Sequence, residues 1–198
     1  MRKALLAALV AGLTVLTAAA AHATTRDLRD PLGDVMTATV DSNGRIVRYN
    51  REGGAEGDIT FARIQHTATQ VVVYLRYQQL TVPRQYAGFQ YAIEGNNGHG
   101  TYVDIETRHG RPQGDALYGY SGRRCALAYH INYAGDSVSM RISRACLANP
   151  KYVRLTHLST ETRVKPDSSG KIYYDSPTRD GGTVNQVINS ITPWVVTG

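Results

Sequence analysis

A chain of 198 residues, 42% hydrophobic and 19% charged, is long enough to bury a core and fits one domain. Its formal charge of +6 at pH 7 is spread thinly, with no dense run of Lys or Arg, which excludes a nucleic-acid-binding tail. Thirteen Tyr against two Phe and one Trp suit sheets with partly wet faces, because the ring packs while the hydroxyl reaches water.

Arg2 and Lys3 open the chain as a positive segment, and an apolar stretch from Ala4 to Ala21 follows. Ala21-His22-Ala23 then supplies the small-x-small pattern that a signal peptidase accepts. These features predict a signal peptide over residues 1–23 and a single secreted, extracellular domain over residues 24–198. A membrane anchor is the competing reading of the same stretch, weakened by Gly12, Thr14 and Thr17. No later apolar run is long enough to span a membrane. Two of the 22 Lys and Arg residues fall in the leader. The exported part keeps 20 against 16 Asp and Glu, an excess of four that attracts polyanions only weakly.

After the leader, period-2 alternation and β-formers dominate. Asp58 to His66, with Ile59, Phe61 and Ile64 among polar residues, predicts a strand. Val71 to Tyr77 predicts its hairpin partner, and the near-continuous apolar start predicts a central strand buried on both faces. Phe89–Glu94 and Thr101–Arg108 form a second expected hairpin around Asn96-Asn97-Gly98-His99-Gly100, where Asn-Gly supports a tight turn. Ala116 to Tyr120 reads as a short strand.

Ala126 to Tyr133 and Ser137 to Ser143 predict a third hairpin through Ala134-Gly135-Asp136, and Arg144 to Asn149 one helical turn ended by Pro150. Tyr152 to Ser159 alternates again, with Val153, Leu155 and His157 expected on one face. Glu161 to Gly170 reads as a loop, Lys171 to Tyr174 as a short strand and Asp175 to Gly182 as a polar tail. Short strands at regular spacing, without a long helix, predict an all-β fold: an antiparallel β-sandwich, with a lipocalin-type β-barrel as the alternative.

Cys125 and Cys146 bracket the third hairpin. An even count in an oxidising compartment predicts one disulfide between them, worth roughly 3 kcal/mol by chain entropy. No nucleophile elbow, zinc-protease helix or phosphate-binding glycine loop occurs, so the expected role is a non-catalytic binding module. A secreted hydrolase built on His99, Asp104 and His109 is one alternative. An inhibitor-like protein-interaction domain presenting residues 108–114 or 163–170 is another.

Two groups of residues are candidate sites. Asp30, Asp34, Asp58, Asp175 and Asp180 lie in turn-forming, Gly-rich segments that offer oxygen ligands to a hard cation, calcium being the one expected. Such Asp residues also make Asx-turns, the plainer reading. Tyr86, Tyr91, Tyr102, Tyr118 and Tyr120 fall in or near the second hairpin. They are candidates for a sugar-stacking platform, against the plainer reading that they line the core. The partner expected from these features is an extracellular glycan or protein, not a nucleic acid.

The order of a signal peptide, Asp30-Pro31-Leu32-Gly33-Asp34-Val35, Gly57-Asp58-Ile59, Arg144-Ala145-Cys146-Leu147-Ala148-Asn149-Pro150 and Arg179-Asp180-Gly181-Gly182 resembles a group of small secreted proteins of actinobacteria. The Asp-x-x-Gly-Asp opening, followed by Asp-Ile and a strand, is also similar to β-sandwich modules of the family-9 carbohydrate-binding and DOMON type. That resemblance implies a sandwich that binds sugars, haem or calcium. A haem site of that type takes Met and His ligands, and the exported part holds only Met36 and Met140.

Overall fold

The computed structural model describes residues 23–40, 46–51, 54–83, 86–119, 127–163, 171–175 and 194–198. The leader, Cys125, Tyr120 and Asp180 lie outside them. Among the described residues thirteen strands run in chain order: β1 (Thr24–Arg29), β2 (Met36–Val40), β3 (Ile46–Arg51), β4 (Ile59–His66), β5 (Gln70–Tyr77), β6 (Tyr86–Gly95), β7 (Gly100–Arg108), β8 (Arg111–Gly119), β9 (Leu127–Asn132), β10 (Ser137–Ser143), β11 (Tyr152–Arg163), β12 (Lys171–Asp175) and β13 (Val195–Val196). Among the described residues the helical content is two short 3-10 turns, Tyr133–Gly135 and Arg144–Leu147. No described helix is long and apolar enough to cross a membrane.

The strands form two antiparallel sheets, consistent with a sandwich, and among the described residues no barrel closes. The first sheet has the order β1-β4-β5-β10-β9, and the second β3-β2-β12-β11-β6-β7-β8, with β13 added beside β11. The expected hairpins are present as β4–β5, β6–β7 and β9–β10. Between the sheets lies one apolar core: Ile64, Val73, Leu75 and Met140 from the first, Phe89, Tyr91, Ile105 and Leu155 from the second. A polar link crosses it at the Tyr77 hydroxyl, bonded to the Thr160 hydroxyl at 2.7 Å. Burial pushes the Tyr77 phenol far above its usual range.

Several details differ from the alternation. β5 is central, but only one face is buried: Val71, Val73, Leu75 and Tyr77 are inside, while Val72 and Tyr74 are half-exposed. Its apolar run reflects β-propensity as well as burial. β8 runs from Arg111, longer than the short strand expected at 116–120, and β11 extends to Arg163 into the expected loop.

Two irregularities re-aim side chains. The β4–β5 register shifts between Ile59 and Phe61, so Phe61 leaves the core and packs at the surface with Tyr74 and the Arg63 guanidinium. The β11–β6 register shifts between Leu155 and His157. The extra residue, Thr156, moves the following alternation by one, so Leu158 is buried and His157 turns to the outer face, away from Val153 and Leu155.

Candidate functional site

Three kinds of polar arrangement stand out: one at each seam between the sheets, and one across the outer face of the second sheet. The first seam is where the chain leaves β1 in one sheet and enters β2 in the other. Asp30-Pro31-Leu32-Gly33-Asp34 makes that crossing, and Gly33 takes φ 75°, a left-handed conformation that glycine adopts without strain. Asp58 stands at the head of β4 and Asp175 at the end of β12. All four aspartates are buried.

One carboxylate oxygen each from Asp30, Asp34 and Asp175 lies within 4.8 Å of the others. Asp58 braces the same corner. Its Oδ2 accepts the Gly33 amide at 2.8 Å, and the next amide along, Ile59, donates to Asp175 Oδ2 at 2.5 Å. Burial raises the Asp58 carboxyl above the usual carboxylate range, with the Gly33 amide pulling the other way. Four of the five aspartates singled out in the sequence therefore meet at one corner. The fifth, Asp180, lies outside the described residues.

At the opposite seam, β8 and β9 are edge strands of the two sheets among the described residues. The Gln113 side chain joins them by donating to the Ile131 carbonyl at 2.8 Å and accepting the Ile131 amide at 3.1 Å. Tyr129 and Tyr133 add hydroxyl bonds to the Gly114 and Pro112 carbonyls. Gly114 is required here: its φ is 65°, and a Cβ would run into the Glu106 carbonyl.

On the outer face of the second sheet, a chain of hydrogen bonds crosses β11, β6 and β7. Ser159 donates to Gln90 Oε1 at 3.3 Å, and Gln90 donates to Asp104 at 3.3 Å. The single Ser159 proton is thereby used, so at 2.9 Å His157 Nε2 is the donor to Ser159 Oγ. Such a histidine cannot act as base toward that hydroxyl, and the Ser159 residue is fully buried. Burial holds His157 below the usual imidazole range and Asp104 above the usual carboxylate range.

The expected platform of tyrosines divides. Tyr91 is fully inside the core, so it is no sugar platform: β6 alternation sends it inward. Tyr102 and Tyr86 face outward, Tyr102 beside His157 with ring centroids 6.4 Å apart and Tyr86 lying over Gly88. Tyr118 stands opposite Val103 in the β7–β8 register, and Tyr120 lies outside the described residues. Nor do the histidines of the hydrolase reading converge. His99 precedes β7 and His109 follows it, about 30 Å apart at the rise of an extended strand.

Sequence reading did not single out Trp194. Its residue is 42% exposed, and its ring stacks on the Arg154 guanidinium at 4.5 Å. Arg154 is held by Glu94 through two bonds of 2.8 and 2.6 Å. Trp194, Tyr152, Glu94 and Asn96 line an open groove of about 490 Å³, and a neighbouring depression lined by Tyr102, Thr101 and Thr156 shares its Glu94 and Gly98. The lone Trp of the chain, standing immediately before a Val-Val pair near the end, was the signal available.

Comparison with known protein families, with curated proteins and with solved structures finds no match.

Proposed function

We propose that the chain is a secreted, non-catalytic binding module for an extracellular glycan or cell-envelope polymer. The observation that carries the reading is the groove beside Trp194. Sugars present apolar C–H faces ringed by hydroxyls. An exposed indole beside Glu94, Asn96 and Tyr152 offers a stacking surface with polar groups at its margin. The Glu94–Arg154 pair fixes the guanidinium against one indole face, which pre-orders the ring and reduces the entropy lost on binding. The neighbouring depression with Tyr102 extends the same surface and suits a polymer longer than one sugar unit.

A glycan microarray probed with the exported chain tests this reading. Binding to at least one glycan class is expected, and Trp194→Ala should weaken it tenfold or more, about 1.4 kcal/mol. No glycan bound, or equal binding by the variant, would count against it. The leader pattern supports export. The proposed Cys125–Cys146 disulfide belongs to the same reading: Cys146 sits half-buried against the core, within the 3-10 turn Arg144–Leu147. Alkylation of the unreduced protein should add no mass; two added labels would remove the disulfide.

A further inference from the structure

We propose that the outer face of the first sheet is a binding surface for a linear polymer that carries phosphate groups. The strand registers put Arg29, Phe61 and Arg76 in one row across β1, β4 and β5. The next row brings Asp27, Arg63, Tyr74 and His130 abreast, and the one after it carries Arg141. Alternation turns all of them away from the core, which their buried neighbours Ala62, Ile64, Leu75 and Met140 face. The four arginines and His130 are exposed. Against them these rows hold a single acid, Asp27.

That acid is already neutralised. Arg63 grips Asp27 through two bonds of 2.7 Å, with its guanidinium over the Phe61 ring at 5.3 Å. Arg29, Arg76 and Arg141 have no ion-pair partner among the described residues. The outer face of the second sheet is the reverse. Glu94, Asp104, Glu106 and Glu161 stand along β6, β7 and β11, and Arg154 and Arg108 pair with two of them. Charge that is spread thinly along the sequence is therefore sorted by the fold, and the first sheet's outer face takes a positive share. Such a face attracts polyanions although the whole chain carries only a small excess.

The spacing of the three unpaired arginines selects a polymer. Strands lie about 4.8 Å apart, and outward residues repeat about every 6.8 Å along a strand. Arg29 and Arg76 thus stem from points roughly 10 Å apart, and Arg141 from a point roughly 14 Å from Arg76. A lone small anion reaches one or two of these guanidiniums, whereas a chain of anions engages all three. Arg29 and Arg76 flank an open depression of about 560 Å³ that Phe61 and Tyr74 also line, while its carboxylate, Asp30, is buried. A phosphate presents oxygens in several directions and so bridges guanidiniums from different strands. A carboxylate is satisfied by one fork. Both rings are half-buried, and Leu32 is the one strongly exposed apolar residue at the rim, too little apolar surface for insertion into a lipid layer. The surface lies on the other sheet from the Trp194 groove. It rests on the export reading only for where the polymer is met, and its failure leaves the glycan reading untouched.

The test is a titration of the exported chain with long-chain inorganic polyphosphate, followed by calorimetry at rising NaCl. Binding is expected at low salt, and the logarithm of the affinity should fall against that of the salt with a slope of about −2 to −3, the counterion release of three neutralised phosphates. Arg76→Gln and Arg141→Gln should each weaken binding about threefold to tenfold and make the slope shallower by about 0.7–0.9. Both side chains are exposed, so the fold is little disturbed. Arg111→Gln removes the same charge at the start of β8, on the other sheet, and should keep the parent affinity within about twofold. No binding by the parent chain at low salt overturns the proposal, and this result does not depend on any variant folding. Equal losses in Arg111→Gln and Arg76→Gln would make net charge the cause and overturn it too. Tighter binding to single-stranded DNA than to polyphosphate would make stacked bases the ligand, and binding to anionic vesicles alone would make it a membrane; either result overturns it.

Discussion

The two seams of this molecule solve one problem with opposite chemistry. At each, two sheets meet and buried polar groups need partners. At the β8–β9 seam a neutral amide, Gln113, both donates to and accepts from Ile131, so the junction is complete without added charge. At the β1–β2 seam the partners are carboxylates. Asp58 accepts from Gly33 and Asp175 from Ile59, so backbone amides are held there by charged acceptors. An amide both donates and accepts, while a carboxylate only accepts, so the acid seam joins the sheets through backbone donors and brings charge that the amide seam does not.

The largest effect should come from Asp175→Ala. The buried Ile59 amide loses its acceptor, and a cost of about 3 kcal/mol in urea unfolding is expected. A loss under 1 kcal/mol would mean that water replaces the carboxylate, and the acid seam would not be a structural joint. Gln113→Ala should cost less, about 1–2 kcal/mol, because the Ile131 groups it serves lie beside an exposed side chain and regain solvent. Gln113→Glu sharpens the contrast: it keeps an acceptor for the Ile131 amide but loses the donor to the carbonyl. It should therefore be less stable than the parent chain near neutral pH and recover as acid protonates the new carboxyl.

The smallest effect concerns pH. His66 is buried under the C-terminal segment, bonded to the Val195 carbonyl at 3.2 Å and near Thr197. Burial lowers its affinity for protons, opposed by the Val195 carbonyl and assisted by the Arg144 charge. The folded chain thus holds this imidazole neutral where the unfolded chain begins to bind a proton. Stability from this site is full above pH 6.5 and falls as pH drops below it, by less than the roughly 1.4 kcal/mol per pH unit that one site can contribute. His66→Gln should flatten denaturation midpoints measured between pH 7 and 5. An unchanged slope would assign the dependence to other groups, His157 first.

Composition and period together were enough to read the all-β character, the three hairpins and one helical turn before Pro150, which is a 3-10 turn over Arg144–Leu147. Alternation of β-branched residues and turn-forming Asn-Gly are local properties, and each hairpin pairs neighbours in the chain. The aspartate segments were also legible as candidates, because Asp beside Gly marks turns wherever it occurs. That four of them share a corner could not be read from the sequence. Asp34 and Asp175 are far apart in the chain, and their meeting depends on β12 pairing with β2, a non-local pairing that no local pattern encodes.

The misread details have the same cause. A single extra residue at Thr156 reverses the facing of everything after it, so the alternation of β11 taken alone put His157 beside Leu155, and only the register against β6 turns it outward. Tyr91 and Tyr102 looked alike as aromatic residues on one hairpin. The side of the sheet on which the core formed sent the first inward and left the second at the surface. The sequence by itself determined which segments extend and where they turn, since those are properties of neighbouring residues. The tertiary structure decided which edges meet, which faces are wet and which charges are forced together, because these depend on contacts between segments distant in the chain.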